Sequence, residues 1–486
     1  MKIPVLLLLA LLLAAPVALA KPNVIFILAD DLGYGDVGWA WQTKRSVNEA
    51  RIFTPNLDRL ANEGVILTDH YCAAPVCAPS RASILTGAPQ PQCSVTNNMF
   101  DCPIAEKDTL ATVMKAGGYR TMAIGKWGVG GGGESGRPVT AHPLDKGFDT
   151  YYGFLDHMAG HTYYHYEGFI RGAYMGLWNG REKATRDGEG VYSTDLFVAR
   201  AKKDIEDAVK EDPARPFFLY LAVNTVHGSG QCDDTLAEKH PLHVPGRPYP
   251  AEGVVWPLAP EPRAARNTWI DPRYRGLKNE NMRRYATAVS RLDDAIADLM
   301  RHLEKLGIAD NTIVVFTSDN GPAKEYGADP RFFQSAGPFR GKKRDVLEGG
   351  MRVPTFVWKR GGFGRKTDAM PSQATDWMPT LAAIAGVKAP TGRPGVSLLP
   401  RWETSAEKPD DSQISTSYRF TCPQRMVRLG DCCILSVGEN PLEVYDVRKD
   451  PAQSTNLVDG ISADAFPWPD RADEQARRAW MRENLK

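Results

Sequence analysis

Residues 77 to 87 read Cys-Ala-Pro-Ser-Arg-Ala-Ser-Ile-Leu-Thr-Gly, a C-x-P-x-R segment followed by small residues and Leu-Thr-Gly. Cys77 is a candidate catalytic residue. Loosely specified motifs recur by chance, however, and most cysteines are buried structural residues, so the segment gains weight only from partners elsewhere in the chain. Asp30, Asp31, Asp319 and Asn320 offer oxygen ligands alone, three of them anionic, which suits a hard divalent cation such as calcium rather than zinc. Such a cation would neutralise charge on an anionic group under attack.

The elements that must position these residues are legible as apolar runs. Asn23 to Ala29 is continuous and β-branched, as expected of a strand buried on both faces of a parallel sheet, and it ends at Asp30-Asp31. The arrangement recurs at Tyr119 to Ile124 before Gly125-Lys126, at Phe217 to Val223 before His227, and at Ile313 to Thr317 before Asp319-Asn320. Helical spacing lies between them, most clearly at Tyr285, Ala288, Val289, Leu292, Ile296, Leu299, Leu303 and Leu306. Strands alternating with helices predict an α/β sheet covered on both sides. Ligands bind such sheets at the carboxyl ends of the strands, so these polar residues can converge from distant positions. A single acid after a strand commonly caps the next helix; four such strand ends beside the cysteine segment point instead to a site.

The chain has 486 residues, 43% hydrophobic and 24% charged, which fits a globular protein with one large and one small domain. Lys plus Arg (59) nearly cancels Asp plus Glu (58), so there is no general attraction to nucleic acid or anionic membrane. Any anionic ligand must be held by a local cluster. Residues 1–20, with Lys2, an apolar stretch from Val5 to Ala15 and Ala18-Leu19-Ala20, read as a cleaved signal peptide of a periplasmic or secreted protein. No later segment is long and apolar enough to span a bilayer, so an integral membrane protein is not expected. Residues 21–400 are then the catalytic domain, and 401–486, where charge rises and the alternation weakens, a smaller C-terminal α+β subdomain. Gly128 to Gly136 and Pro241 to Pro272 read as long loops walling a site. Export makes disulfides possible among the eight cysteines; Cys93 with Cys102, and Cys422 with Cys432 or Cys433, are plausible local pairs.

The motifs together resemble the type I sulfatases of the alkaline phosphatase superfamily. Beside C-x-P-x-R, the chain has Asp-Asp-Leu-Gly-Tyr-Gly-Asp from Asp30, Thr54-Pro55-Asn56-Leu57-Asp58, Gly125-Lys126-Trp127, His142-Pro143-Leu144, Gly147-Phe148-Asp149, Ser-Asp-Asn-Gly around Asp319, and Glu348-Gly349-Gly350 with Arg352-Val353-Pro354, in the family's order. The resemblance implies an alkaline-phosphatase-like, mostly parallel mixed sheet flanked by helices. It also implies one calcium ion held by Asp30, Asp31, Asp319, Asn320 and the modified Cys77. A formylglycine-generating enzyme would oxidise Cys77 to formylglycine, whose hydrate is the nucleophile: a plain alcohol would stay sulfated, whereas a geminal diol can expel sulfate by collapsing to the aldehyde. By the same resemblance Arg81 holds the formylglycine, Lys126 contacts the diol and a sulfate oxygen, and His227 and Lys343 bind the sulfate and protonate the leaving alcohol.

One position departs from the commonest pattern: Gly128 follows Gly125-Lys126-Trp127 where many sulfatases carry the histidine that deprotonates the diol. The segments Gly147 to Leu155 and Ala159 to Tyr164 resemble a bacterial branch in which Gly-Lys-Trp-Gly is normal and which is associated with sulfated galactans and similar glycans. His161 is the expected replacement base, with His157 as the alternative. The aromatic residues Tyr151, Tyr152, Tyr163, Tyr164, Tyr166, Phe169 and Trp178 near it are either core or a stacking surface for sugar rings, core being the commoner fate. Hydrolysis of a sulfated carbohydrate is the leading expectation. A phosphonate or phosphate ester hydrolase, and a non-catalytic sulfated-glycan-binding relative motivated by Gly128, are the alternatives.

Overall fold

Strand β1 (Asn23–Ala29) is buried on both faces, and its side chains divide between two cores with the two-residue period of a strand. Ile25 and Ile27 face one core, Val24, Phe26 and Leu28 the other. The protein is described by a computed structural model covering residues 21–90, 92–98, 102–132, 138–164, 176–184, 187–228, 242–325, 327–403, 413–419, 423–468 and 474–485. The expected signal peptide, Tyr166 and Phe169 lie outside the described residues.

Around β1 runs a ten-stranded sheet. Its further strands are β2 (Val65–Leu67), β4 (Arg120–Lys126), β5 (Thr150–Phe154), β6 (Leu177–Asn179), β7 (Glu182–Lys183), β8 (Phe217–Ala222), β9 (Thr312–Ser318), β10 (Thr355–Trp358) and β11 (Lys366–Asp368), while β3 (His70–Tyr71) stands outside it. The spatial order is β11-β2-β10-β9-β1-β8-β4-β5-β6-β7. The central run from β9 to β5 is parallel, and β10, β6 and β7 join antiparallel. This is the mixed, mostly parallel sheet that the resemblance implies. Gly125 and Lys126 belong to β4 rather than following it. A Cβ at Gly125 would come within 2.0 Å of the Ala222 carbonyl, so its lack of a side chain lets two strands approach.

Helices cover both faces. On the Ile25 side lie α1 (Pro55–Glu63), α4 (Ser193–Glu211) and α5 (Glu280–Lys305); on the other lie α2 (Cys77–Thr86), α3 (Leu110–Ala116) and α7 (Trp377–Ala385). A short helix α6 (Glu348–Met351) precedes β10. Helix α5 starts where Asn279 accepts the Met282 amide, and it buries the apolar stripe predicted from its three-and-four spacing. From that buried face Asp293 accepts the amides of Asn56 and Leu57 at 3.2 and 2.7 Å, capping α1, whose first residue is Pro55. The expected loop from 241 to 272 contains neither strand nor helix between 242 and 271 and ends where Pro272 opens a 3-10 helix; it is pinned, since Tyr164 Oη donates to Val244 O and to Glu261.

Beyond the main layers an antiparallel four-stranded sheet runs from Gln413 to Asp446. One face packs against Phe466 and Trp480; the other brings Met426, Cys433, Leu435 and Tyr445 against Tyr71, Cys72, Val76 and Val353. A buried ionic cluster lies at the second contact. Arg428 donates to Tyr71 Oη and, at 2.6 Å, to Asp69, while Arg352 reaches Asp69 at 3.0 Å and Glu348 at 2.5 Å. Each buried charge has an opposite partner, without which its desolvation would be costly. The cluster fixes β3, the strand that leads to Cys77.

The disulfide expected between Cys93 and Cys102 is not formed: Cys93 is a buried thiol 3.9 Å from Thr86 Oγ1. Cys432 and Cys433 are thiols as well, and Cys422 lies outside the described residues. No helix among the described residues is long and apolar enough to cross a membrane.

Candidate active site

Cys77 is the first residue of α2, and every residue of that helix is buried. The site therefore begins at a helix N-terminus, where unpaired amides favour negative charge. Arg81, one turn later, shares the face of Cys77. Gly87 ends the helix in the left-handed conformation (φ 64°). Burial pushes the Cys77 thiol well above its usual range, against the opposing pull of Lys343. An unmodified thiol here is neutral, and it is the thiolate that attacks.

Asp30 and Asp31 close β1. Consecutive residues of an extended chain point to opposite sides, but Asp31 takes a left-handed backbone (φ 61°) that breaks the alternation and brings both carboxylates to one place. Asp319 follows the neighbouring strand β9 and accepts the Asp31 amide at 3.1 Å; Asn320 Nδ2 donates to Asp31 Oδ1 at 2.8 Å. Ligand atoms of Asp30, Asp31, Cys77 and His227 lie within 4.8 Å of one another. Asp30 Oδ1 and Asn320 Oδ1 are buried without a hydrogen-bond partner, which is costly in a protein interior. These orphaned oxygens and the surrounding carboxylates fit a hard divalent cation.

Three cations face the carboxylates. Arg81 holds Asp319 at 2.8 Å and Asp30 at 3.4 Å and donates to the Lys126 carbonyl at 3.1 Å. Lys126 Nζ is 2.7 Å from Asp30, and Lys343 Nζ 2.9 Å from Asp31. Burial alone would raise Asp30, but Lys126 and Arg81 hold it well below the usual carboxylate range. Burial lifts Asp319, with the charge of Asp30 adding to it, to about 7. Asp30, Asp31 and Asp319 against Arg81, Lys126 and Lys343 sum to zero formal charge, so the bare cluster has little pull on an anion. A divalent cation would make it positive.

Lys343 also donates to His227 Nε2 at 3.1 Å. His227 Nδ1 lies 2.7 Å from the Gly228 carbonyl, so Nδ1 carries the proton and Nε2 is the acceptor. Burial, with Lys343 beside it, pushes His227 down to about 3, which agrees with a neutral ring. Its 3.5 Å approach to Asp31 is therefore not an ion pair. Burial would also lower Lys343, but Asp31 keeps its ammonium well above the usual range.

His161 stacks on His227 with ring centroids 3.9 Å apart, and His157 meets His161 edge-on at 5.1 Å. Both are held well below the usual imidazole range, mainly by burial, and are neutral. The structure accounts for Gly128 locally. Its backbone is left-handed (φ 72°), and a Cβ would stand 3.2 Å from His157 Nδ1, itself 3.3 Å from the Gly128 carbonyl. A histidine at 128 would need a strained backbone and the space His157 fills. Gly160 matters similarly: a Cβ there would lie 2.5 Å from Lys126 Cδ, so its absence lets the turn before His161 close over Lys126.

All the residues singled out from the sequence thus converge: Cys77, Arg81, Lys126, His161, His227, Lys343, Asp30, Asp31, Asp319 and Asn320. One other was missed, and one was named without its role. Glu325 approaches Lys343 at 3.3 Å and Arg344 at 2.6 Å from a loop without a recognisable motif. Tyr163 Oη donates to the carbonyls of Asn224 and His227 at 3.1 and 2.9 Å and so fixes the loop carrying His227. Of the aromatic residues, Tyr151, Tyr152, Tyr163 and Tyr164 are buried core, so a stacking surface for sugars is not built from them.

Comparison with known proteins places these observations. The sequence model of the sulfatase family matches residues 22–387. Arylsulfatase J of Mus musculus is 31% identical over 373 residues, 75% of this chain and 53% of the relative. N-acetylgalactosamine-6-sulfatase of Rattus norvegicus is 30% identical over 433 residues, 82% of this chain and 68% of the relative. The chain thus spans about half the length of the first and two thirds of the second. Among solved structures, that of Ps i-CgsB in complex with k-i-k-neocarrahexaose superimposes with a TM-score of 0.70 at 26% identity, covering 90% of this chain and 88% of the other.

Proposed function

The chain belongs to the sulfatase family, and from that premise we propose that it hydrolyses a sulfate ester on a sulfated carbohydrate. What supports this most is the convergence, at one buried helix N-terminus, of Cys77 with three cations, three carboxylates and His227. Relatives named for N-acetylgalactosamine 6-sulfate and a structural neighbour solved with a neocarrahexaose support the carbohydrate.

In this reading Cys77 would carry the formylglycine whose hydrate would be the nucleophile, and Asp30, Asp31, Asp319 and Asn320 would hold a calcium ion that would neutralise charge at the sulfate. The chain's own residues do the rest. Arg81 and Lys126 set the nucleophile's position and offset its negative charge. Lys343 and His227 contact the sulfate. Since His227 is neutral and accepts from Lys343, the proton for the leaving alcohol starts on the Lys343 ammonium and passes directly or through His227. His161 is a neutral imidazole beside His227, able to take the hydroxyl proton that frees sulfate. His157 is the second candidate because it fills the space over Gly128. The N-terminal segment directs export, and a formylglycine-generating enzyme acts on the chain during maturation.

Release of inorganic sulfate from 4-nitrophenyl sulfate and from sulfated galactose and N-acetylgalactosamine tests this reading, beside the matched phosphate esters. The expected result is sulfate release that EDTA abolishes and calcium restores, with phosphate esters slower. Faster turnover of the phosphate esters would move the assignment to a phosphatase, and binding of sulfated sugars without turnover to a glycan-binding protein.

A further inference from the structure

Loop 324–347 presents neighbouring residues to two different places. Glu325 and Lys343 turn inward and meet at 3.3 Å in the centre, where Lys343 also holds Asp31. Their immediate neighbours Lys324 and Lys342 instead line a separate cleft of about 500 Å³, together with Arg331 and Arg340. One residue step along each of two strands of chain therefore separates cleft from centre. The relation is fixed: Gly35, four residues after Asp31, donates its amide to Ser335 at 2.7 Å, and the Arg344 amide bonds the carbonyl of Pro75, two residues before Cys77.

The cleft has an excess of positive charge. Lys324, Arg331, Arg340 and Lys342 line it against Asp329 and Asp345. Arg331 pairs with Asp329 at 3.1 Å through a side chain 82% exposed, and Lys342 with Asp345 at 3.4 Å through one 43% exposed. Such exposed pairs are weak, so an arriving anion can recruit both cations. Lys324 is exposed and makes no ion pair among the described residues. Arg340 reaches out to Glu443 at 3.1 Å at the rim. In a chain whose net charge is only +1, this concentration is local and sits beside the centre. A neutral sugar would leave this charge unused, and the proposed mechanism already assigns Lys126, His227 and Lys343 to the ester being cleaved.

We infer that this cleft is a subsite for a second anionic group, a sulfate ester or a uronate carboxylate, on the same sugar chain as the ester being cleaved. The inference rests on the sulfate-ester reading of the centre and narrows its substrate to a glycan carrying more than one negative charge. The cleft volume is within the usual range for a small-ligand site.

Isothermal titration calorimetry in a Cys77→Ala background, which cannot turn ligand over, tests it with sucrose octasulfate, hyaluronan hexasaccharide and neutral maltohexaose. The expected result is that Lys324→Gln with Arg331→Gln weakens sucrose octasulfate about tenfold or more, while maltohexaose does not bind. A parallel loss for hyaluronan assigns any anion to the cleft; a loss confined to the octasulfate assigns sulfate. A dissociation constant within about twofold of the parent's, or maltohexaose binding as tightly as the octasulfate, would overturn the subsite. Sulfate release from 4-nitrophenyl sulfate by the unsubstituted chain reports separately on the centre, so failure of the subsite and failure of the hydrolase reading are distinguishable.

Discussion

A His161→Ala variant is expected to release sulfate roughly 10² to 10⁴ times more slowly, the usual contribution of a positioned base, yet still to liberate one equivalent of alcohol per site in a burst. The reason is a division of labour. His227 and Lys343, to which the proposed mechanism gives departure of the alcohol, form a bonded pair that does not include His161. His161 stacks on the His227 ring and is neutral, so under the proposed mechanism its removal affects the step that needs a proton acceptor. A His157→Ala variant is expected to lose less than about tenfold, because its ring packs against Gly128 and the proposed mechanism gives the proton to His161. Rapid-quench measurement of alcohol and sulfate separates the two. If His157→Ala stalls after the burst and His161→Ala does not, the base is His157.

Arg81→Ala is expected to cost about 3–5 kcal/mol in unfolding free energy when divalent metal is chelated, the range for removing one partner from a buried charge cluster. Arg81 is fully buried and touches both Asp30 and Asp319. Without it those carboxylates have Lys126 as their nearby cation, and Lys126 Nζ bonds only Asp30. Calcium should recover part of the loss by supplying the missing charge, and so stabilise the variant more than the parent. Arg81→Lys should fall between them, since an ammonium cannot span two carboxylates as a guanidinium does. Urea denaturation with EDTA and with calcium measures this. A change under about 1 kcal/mol would mean that Arg81 does not hold the carboxylates together.

These expectations depend on features the sequence carried unevenly. The apolar runs before Asp30, His227 and Asp319 were legible because a strand buried on both faces leaves an uninterrupted β-branched stretch. The left-handed turn at Asp31, which makes two adjacent carboxylates converge, leaves no composition signal because Asp is tolerated there without Gly. Gly128 was visible as a departure, but its fit to the His157 ring depends on packing between segments about thirty residues apart. The Asp69–Arg428 contact joins residues 359 positions apart, and only the folded C-terminal sheet brings them together. The apolar run at Ile124 ended the expected strand early, because Gly125 carries no apolar side chain and continues β4 through close approach to β8. Glu325 sits in a loop with no periodicity, where an isolated acid looks like any solvated charge.

The central claim is that Cys77 acts as formylglycine, and the mass of the Cys77 peptide, taken from protein produced beside a formylglycine-generating enzyme, tests it most directly. The account predicts the mass loss of thiol-to-aldehyde conversion, with sulfate release proportional to the converted fraction. An intact thiol at Cys77 in protein that nevertheless releases sulfate, or full conversion without sulfate release from any sulfated sugar, would contradict it.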